Sequence, residues 1–243
     1  MTQVSYSNIS ASSIAPALPA RRAKFISRVM FLLILLTALQ IVVGFLTYES
    51  SLTFDEAMWQ YIGRNWFRHG LTPYSGGVDN KSPLIFAIYG ISDRLFGVNF
   101  WFPRLLGICF QSAGLYYTYK IARRLMSERA GLIVLFIYGF SILWHASGGK
   151  YVSYTESYAV AFTIMAVYFV ISADRKNACF ISGMLAGLGF MFRISALFGF
   201  LALLTYLVLV KKNKVLPYLL GFLITVFSIC TLFGLAGIRL HDL

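Results

Sequence analysis

Six charged residues whose types and spacing could do chemistry stand within 27 positions: Asp55, Glu56, Arg64, Arg68, Asp79 and Lys81. Two more stand apart, Glu156 and Arg193. A carboxylate near a helix start can take a proton or orient a hydroxyl. A lysine beside unpaired backbone N–H groups can hold an anion. Thr53 followed by Glu56 is a capping-box pattern that predicts a helix opening there, and Gly70 predicts its end. On that helix Asp55, Trp59, Ile62 and Trp66 recur at i, i+4, i+7 and i+11, so a carboxylate shares one stripe with two indoles. The stripe predicts a helix lying along a membrane interface with its aromatics down. Plain readings compete: Glu56 as the capping partner and Asp55 as a complement to the helix dipole.

Asn80-Lys81-Ser82-Pro83 predicts a second helix start, with Ser82 as N-cap, Pro83 first in the helix and Lys81 at its positive end. Lys81 there either holds a phosphate or snorkels to lipid headgroups. Glu156 opens a later apolar segment, where it could equally be a first-turn acid. Arg193 interrupts an apolar stretch, a costly position that calls for a partner or a water-filled cavity. His69 fits a helix C-terminus, and His145 beside Trp144 reads as interfacial. No His, Cys and carboxylate cluster has metal spacing, the Gly148-Gly149 pair lacks a phosphate-loop context, and Cys109, Cys179 and Cys230 imply no disulfide framework. No cofactor is expected; a divalent metal is not indicated.

The elements that position these residues are membrane elements. The chain has 243 residues, 58% hydrophobic and only 12% charged, with mean hydropathy +0.72. That composition excludes a soluble domain with a single core and predicts an all-α integral membrane protein. The net charge of +12 is explained by cytoplasmic loops, not by nucleic acid. Residues 1–26 read as a disordered cytoplasmic tail, and an apolar run from Met30 to Thr47 as a signal anchor. Further apolar segments cover residues 102–120, 130–147, 157–173, 178–192, 194–210 and 215–238. Residues 83–96 are too short to cross: about 21 Å as a helix against about 30 Å of hydrocarbon. With that segment at the interface, the basic clusters at 21–28, 120–129, 175–176 and 211–214 all fall on one side. The positive-inside rule then gives about seven spans, with the N-terminus cytoplasmic and the loop of residues 48–101 extracytoplasmic. Residues 178–210 are too long for one span and break at Arg193; Gly183 and Gly187 form a small-xxx-small pair for close helix contact.

Several motifs in series carry a resemblance. Asp-Glu-Ala at 55–57 is followed by Gly-Leu-Thr-Pro-Tyr at 70–74, Asp-Asn-Lys-Ser-Pro-Leu at 79–84 and Leu-Phe-Gly at 95–97. Pro-Arg-Leu-Leu-Gly at 103–107 then opens the next span. This order resembles the GT-C glycosyltransferases, in the branch of the dolichyl-phosphate-mannose protein mannosyltransferases and the aminoarabinose transferases. The likeness runs from residue 27 to 238 and defines residues 27–243 as a GT-C-like transmembrane module. It implies transfer of a sugar from a polyprenyl-phosphate donor to a lipid, glycan or protein acceptor on the extracytoplasmic face of the cell or inner membrane. By the same resemblance Asp55 acts on the acceptor, Lys81, Arg193 and Arg64 hold the donor phosphate, and Glu56, Tyr74, Asn80 and Glu156 bind substrate. Met58 stands where some members carry a basic residue. Members are usually about twice as long. The length therefore raises an alternative: a truncated or non-catalytic GT-C-like subunit that binds polyprenyl phosphate and needs a partner subunit. A small transporter would show an inverted repeat, and none is evident.

Overall fold

The computed structural model describes residues 17–46, 53–77, 79–146, 153–172 and 176–238. Among these every regular element is helical: α1 (Ala17–Leu46), α2 (Phe54–His69), α3 (Pro83–Phe96), α4 (Trp101–Leu125), α5 (Glu128–Ala146), α6 (Thr155–Ser172), α7 (Lys176–Phe192), α8 (Ala196–Val210) and α9 (Val215–Leu235). A single 3-10 turn, Lys212–Lys214, leads into α9. The first sixteen residues of the expected tail, the Gly148-Gly149 pair, Asp174, Arg175 and residues 239–243 lie outside the described residues. From Ala17 onward the expected tail is helical, continuous with the anchor segment.

Two helical stretches, Thr155–Ser172 and Lys212–Leu235, are long and apolar enough to cross a bilayer. Three shorter apolar ones follow the expected segments at Arg28–Val43, Asn177–Phe192 and Ala196–Val210. Large apolar side chains are exposed on these stretches and on α5: Phe31, Val160, Phe198, Leu209 and Phe227 on the former, Phe136 and Ile137 on the latter. Water does not tolerate so much apolar surface, and lipid does. Among the described residues this is an all-helical membrane protein.

Close backbone contacts made by glycine set the helix packing. Residues 178–210 split as expected, α7 ending at Phe192 and α8 starting at Ala196. The Gly183/Gly187 face of α7 meets α9, where Gly221 answers it. A Cβ on Gly183 would stand 2.0 Å from the Tyr218 carbonyl oxygen, and one on Gly221 2.1 Å from that of Phe180. Without a hydrophobic force between helices in lipid, such contact is what holds the pair. Ser182 of α7 adds a buried hydrogen bond to the Ala166 carbonyl of α6 at 2.8 Å.

α2 and α3 form the layer that carries the polar residues, and they cross through a second glycine pair. A Cβ on Gly63 would lie 2.5 Å from the Gly90 nitrogen. The stripe of α2 does not face a membrane interface as its spacing predicts. Trp59 and Ile62 are buried in the protein, among Tyr89 of α3 and Tyr158 and Phe162 of α6, and Trp66 meets Phe233 of α9 edge-on. The reason is chemical: an indole gains contact on all sides in this aromatic cluster and finds an acceptor for its N–H there. Phe54 and Tyr61 are the exposed aromatics of α2.

Candidate functional site

α2 begins as its capping pattern predicts. The Thr53 hydroxyl accepts the Glu56 backbone N–H at 3.3 Å, and Gly70, left-handed at φ 70°, closes the helix. The adjacent carboxylates of the first turn then part. Successive helical residues are rotated by about 100°, which turns Glu56 inward. Both its oxygens accept from one guanidinium: Arg104 Nε at 3.1 Å and Nη2 at 2.8 Å. Glu56 and Arg104 are 1% and 7% exposed, so this is a buried fork-to-carboxylate pair joining α2 to α4. Asp55 is half-buried. Its carboxylate makes no hydrogen bond or ion pair with the described residues.

One turn on, Trp59 holds the second motif. Its indole N–H donates to Asp79 Oδ2 at 2.7 Å, and the other Asp79 oxygen accepts the Asn80 backbone N–H at 2.6 Å. Lys81 Nζ donates to Asn80 Oδ1 at 2.7 Å and lies 4.0 Å from Asp79 Oδ1. Tyr74 supports this strand of chain from below: its hydroxyl donates to the Lys81 carbonyl at 2.6 Å, from a backbone held at φ 71°. Lys81 thus precedes the α3 N-terminus as its sequence predicts, with Ser82 at the N-cap and Pro83 first in the helix. Ser82 makes no side-chain cap bond, and its buried hydroxyl has no partner. Because Asp55 and Trp59 share a helix face, the Trp59–Asp79 bond draws the Asn80-Lys81 segment to the side of α2 that bears Asp55. Arg64 is exposed and lies about 180° around the helix from Asp55.

Glu156 and Arg193 pair with each other. Arg193, in the break between α7 and α8, donates through Nη1 to Glu156 Oε1 and, at 3.4 Å, to the Thr155 hydroxyl. Its Nε donates to the Ser195 hydroxyl at 3.1 Å. Both charged side chains remain partly open to solvent, and a pocket of about 260 Å³ opens beside them between α6 and α8.

Two arrangements have no counterpart in the sequence reading. Arg104 lies in the Pro-Arg-Leu-Leu-Gly motif, and its position at the start of an apolar helix was the available signal that it needs a carboxylate. Asp93 is fully buried in α3; it accepts from Gln60 Nε2 at 3.1 Å and from Arg68 Nε, while Arg68 Nη2 donates to the Asp93 carbonyl at 2.6 Å. Gln60 and Arg68, eight residues apart on α2, present one polar line to α3. Beneath both arrangements Tyr89 donates to the Ser153 hydroxyl at 3.0 Å. Burial, reinforced by the nearby Glu56 carboxylate, raises the Tyr89 phenol well above its usual range and keeps it protonated. Among the described residues no group of three or more His, Cys, Asp and Glu side chains could hold a metal ion.

The sequence of residues 80–233 matches the dolichyl-phosphate-mannose-protein mannosyltransferase family. The chain belongs to that family, of GT-C type, and is by that membership a glycosyltransferase of the mannosyltransferase type. The matched stretch contains Asn80, Lys81, Arg104, Glu156 and Arg193, and begins after Asp55, Glu56, Arg64 and Tyr74. No curated protein and no solved structure matches the chain.

Proposed function

We propose that this protein transfers a sugar from a polyprenyl-phosphate donor to a hydroxyl acceptor at the extracytoplasmic membrane face, with Asp55 as general base. The acceptor hydroxyl gives its proton to Asp55 as its oxygen bonds the anomeric carbon. The bond from that carbon to the phosphate oxygen breaks, and the lipid phosphate leaves. Such a leaving group needs positive charge more than a proton donor. Lys81, at the head of α3, supplies it, and Arg193 is the second cation assigned to the donor. Asn80 and Tyr74 keep Lys81 in place. About seven spans, with a cytoplasmic N-terminus, put this loop on the outer side by the bias of basic clusters.

The observation that carries the reading is the contrast within the first turn of α2. Glu56 is buried on Arg104, whereas Asp55 carries an unpartnered carboxylate on the face toward which Trp59 and Asp79 draw Lys81. A general base must be free to accept a proton. The test is Asp55→Asn, assayed in membranes supplied with a lipid-linked sugar. Transfer should fall by at least about 100-fold, the ordinary contribution of a general base, with membrane expression unchanged. Transfer within a few-fold of the parent protein would refute the assignment.

A further inference from the structure

α9 ends in a closed cap that is also a wedge. Gly237 is left-handed at φ 90°. Its N–H donates to the Gly234 carbonyl at 3.1 Å, and the Ile238 N–H reaches back to the Phe233 carbonyl at 3.0 Å. This is the Schellman pattern, which satisfies carbonyls of the last turn and folds the residue after the glycine back against that turn. The two side chains it brings together, Phe233 and Ile238, are 7% and 2% exposed. Chain just beyond a helix end ordinarily lies at the surface, so the burial of Ile238 needs a cover.

The cover is the loop between α2 and α3. Phe233, Ile238 and Met191 of α7 form one buried cluster, and Trp66 of α2, Tyr74 and Leu84 of α3 pack against it. A Cβ on Gly237 would stand 3.3 Å from Thr72 Cγ2, so the cap itself abuts the loop. The loop is a tight turn. The Thr72 carbonyl accepts the Ser75 and Gly76 N–H groups at 3.1 and 2.8 Å, and the Tyr74 N–H donates to the Gly77 carbonyl at 2.9 Å. Tyr74 is the one non-glycine residue with positive φ among the described residues. A tyrosine held there is strained, and it persists only where its surroundings over-determine it. Here Phe86 meets its ring edge-on, the α9 cluster packs against it, and its hydroxyl ends on the Lys81 carbonyl.

We propose that Phe233 and Ile238 are positioning residues: the α9 cap braces Tyr74 in its left-handed conformation and, through the Tyr74 hydroxyl, sets where Lys81 stands. The consequence for transfer rests on the donor role given to Lys81 above; the brace itself does not.

The test uses the full chain. Hydrogen–deuterium exchange of residues 70–82 is read in detergent, and donor kinetics in membranes supplied with a lipid-linked sugar. Ile238→Ala should speed exchange over residues 70–82 about tenfold, with α6 unchanged. It should raise the donor KM several-fold and leave kcat within about twofold, as for a binding group displaced and not removed. Ile238→Val should give smaller changes of the same sign, and keeps the test readable where alanine prevents folding. Tyr74→Phe should raise KM alike, and adding Ile238→Ala to it should raise KM no further, since both act through one hydroxyl. Phe227→Ala, a truncation at an exposed position of α9, should move neither readout. Unchanged exchange in Ile238→Ala, KM penalties that multiply in the double variant, or equal effects from Phe227→Ala would overturn the proposal. Faster exchange in Ile238→Ala with no transfer by the parent protein refutes the enzymatic reading alone; transfer with unchanged exchange refutes the brace alone.

Discussion

Replacing Arg104 by Met should be among the most damaging single changes in the chain, and replacing Glu56 with it should repair most of the damage. Arg104 is 7% exposed and its guanidinium satisfies both oxygens of Glu56, itself 1% exposed. Arg104→Met leaves a buried carboxylate without its counter-charge, which costs about 3–5 kcal/mol. For a chain of this size about 2–4 °C of melting temperature accompanies each kcal/mol, so a fall on the order of 10 °C is expected. Glu56→Met/Arg104→Met removes both charges and fills the space with apolar atoms, a change that is often neutral. The double variant should therefore melt within about 3 °C of the parent, corresponding to roughly 1 kcal/mol. The assay is thermal unfolding of the purified protein in one detergent, with the four corners of the mutant cycle run together. A single variant as stable as the parent, or a double variant as weak as the single, would refute the argument that the pair joins α2 to α4 from inside.

Three further outcomes follow from the same contacts. Trp59→Phe keeps the ring and deletes only the N–H to Asp79, so about 1.5–3 kcal/mol of a hydrogen bond to a charged group is lost; the donor KM should rise more than kcat falls, and an unchanged KM would separate Asp79 from the placement of Lys81. Asp93→Leu should destabilise the α2–α3 hairpin by about 1–3 kcal/mol, because Gln60 loses its buried acceptor while Arg68, a third exposed, can turn to solvent; protease sensitivity confined to residues 53–100 would report it. Gly183→Leu places a side chain where a Cβ would already meet the Tyr218 carbonyl at 2.0 Å, and should prevent α7 and α9 from meeting; crosslinking between cysteines introduced on the two helices would be lost, whereas Gly234→Leu, where a Cβ meets nothing within 4 Å, should leave it intact.

The helices were legible because their signals are local. Ser82-Pro83 starts α3, Thr53 and Gly70 bound α2, and Arg193 marks the break between α7 and α8. Each rests on backbone geometry that neighbouring residues set. The small-xxx-small pair at Gly183 and Gly187 was legible as a contact face, but its partner Gly221 was not, since nothing local names the helix it meets. The same limit hid the pairs Glu56–Arg104 and Arg68–Asp93, which are separated by 48 and 25 positions. It also misdirected the aromatic stripe of α2. Spacing shows that Trp59 and Ile62 share a face, but not whether lipid or protein covers it; the aromatic surfaces of α3 and α6 decide that. Lys81 at a helix start was readable, whereas the Trp59–Asp79 bond that draws it toward α2 was not.

These pairings sharpen what a charge census of the loop can mean. Six charges between residues 55 and 81 look equivalent in sequence, but three-dimensional contacts divide them. Glu56 is taken up by Arg104, Arg68 by Asp93, and Asp79 by the Trp59 indole and the Asn80 amide. Each of these links fastens α2 or its following loop to something else, so their common effect is rigidity. A reacting carboxylate needs such a frame, because a base displaced by an ångström loses much of its effect. Asp55 is the carboxylate of this loop that no link among the described residues consumes, and it sits one residue from the most buried of them. In the proposed role of Asp55 as general base, the Glu56–Arg104 pair that fixes the first turn of α2 would hold Asp55 in position while leaving its carboxylate free.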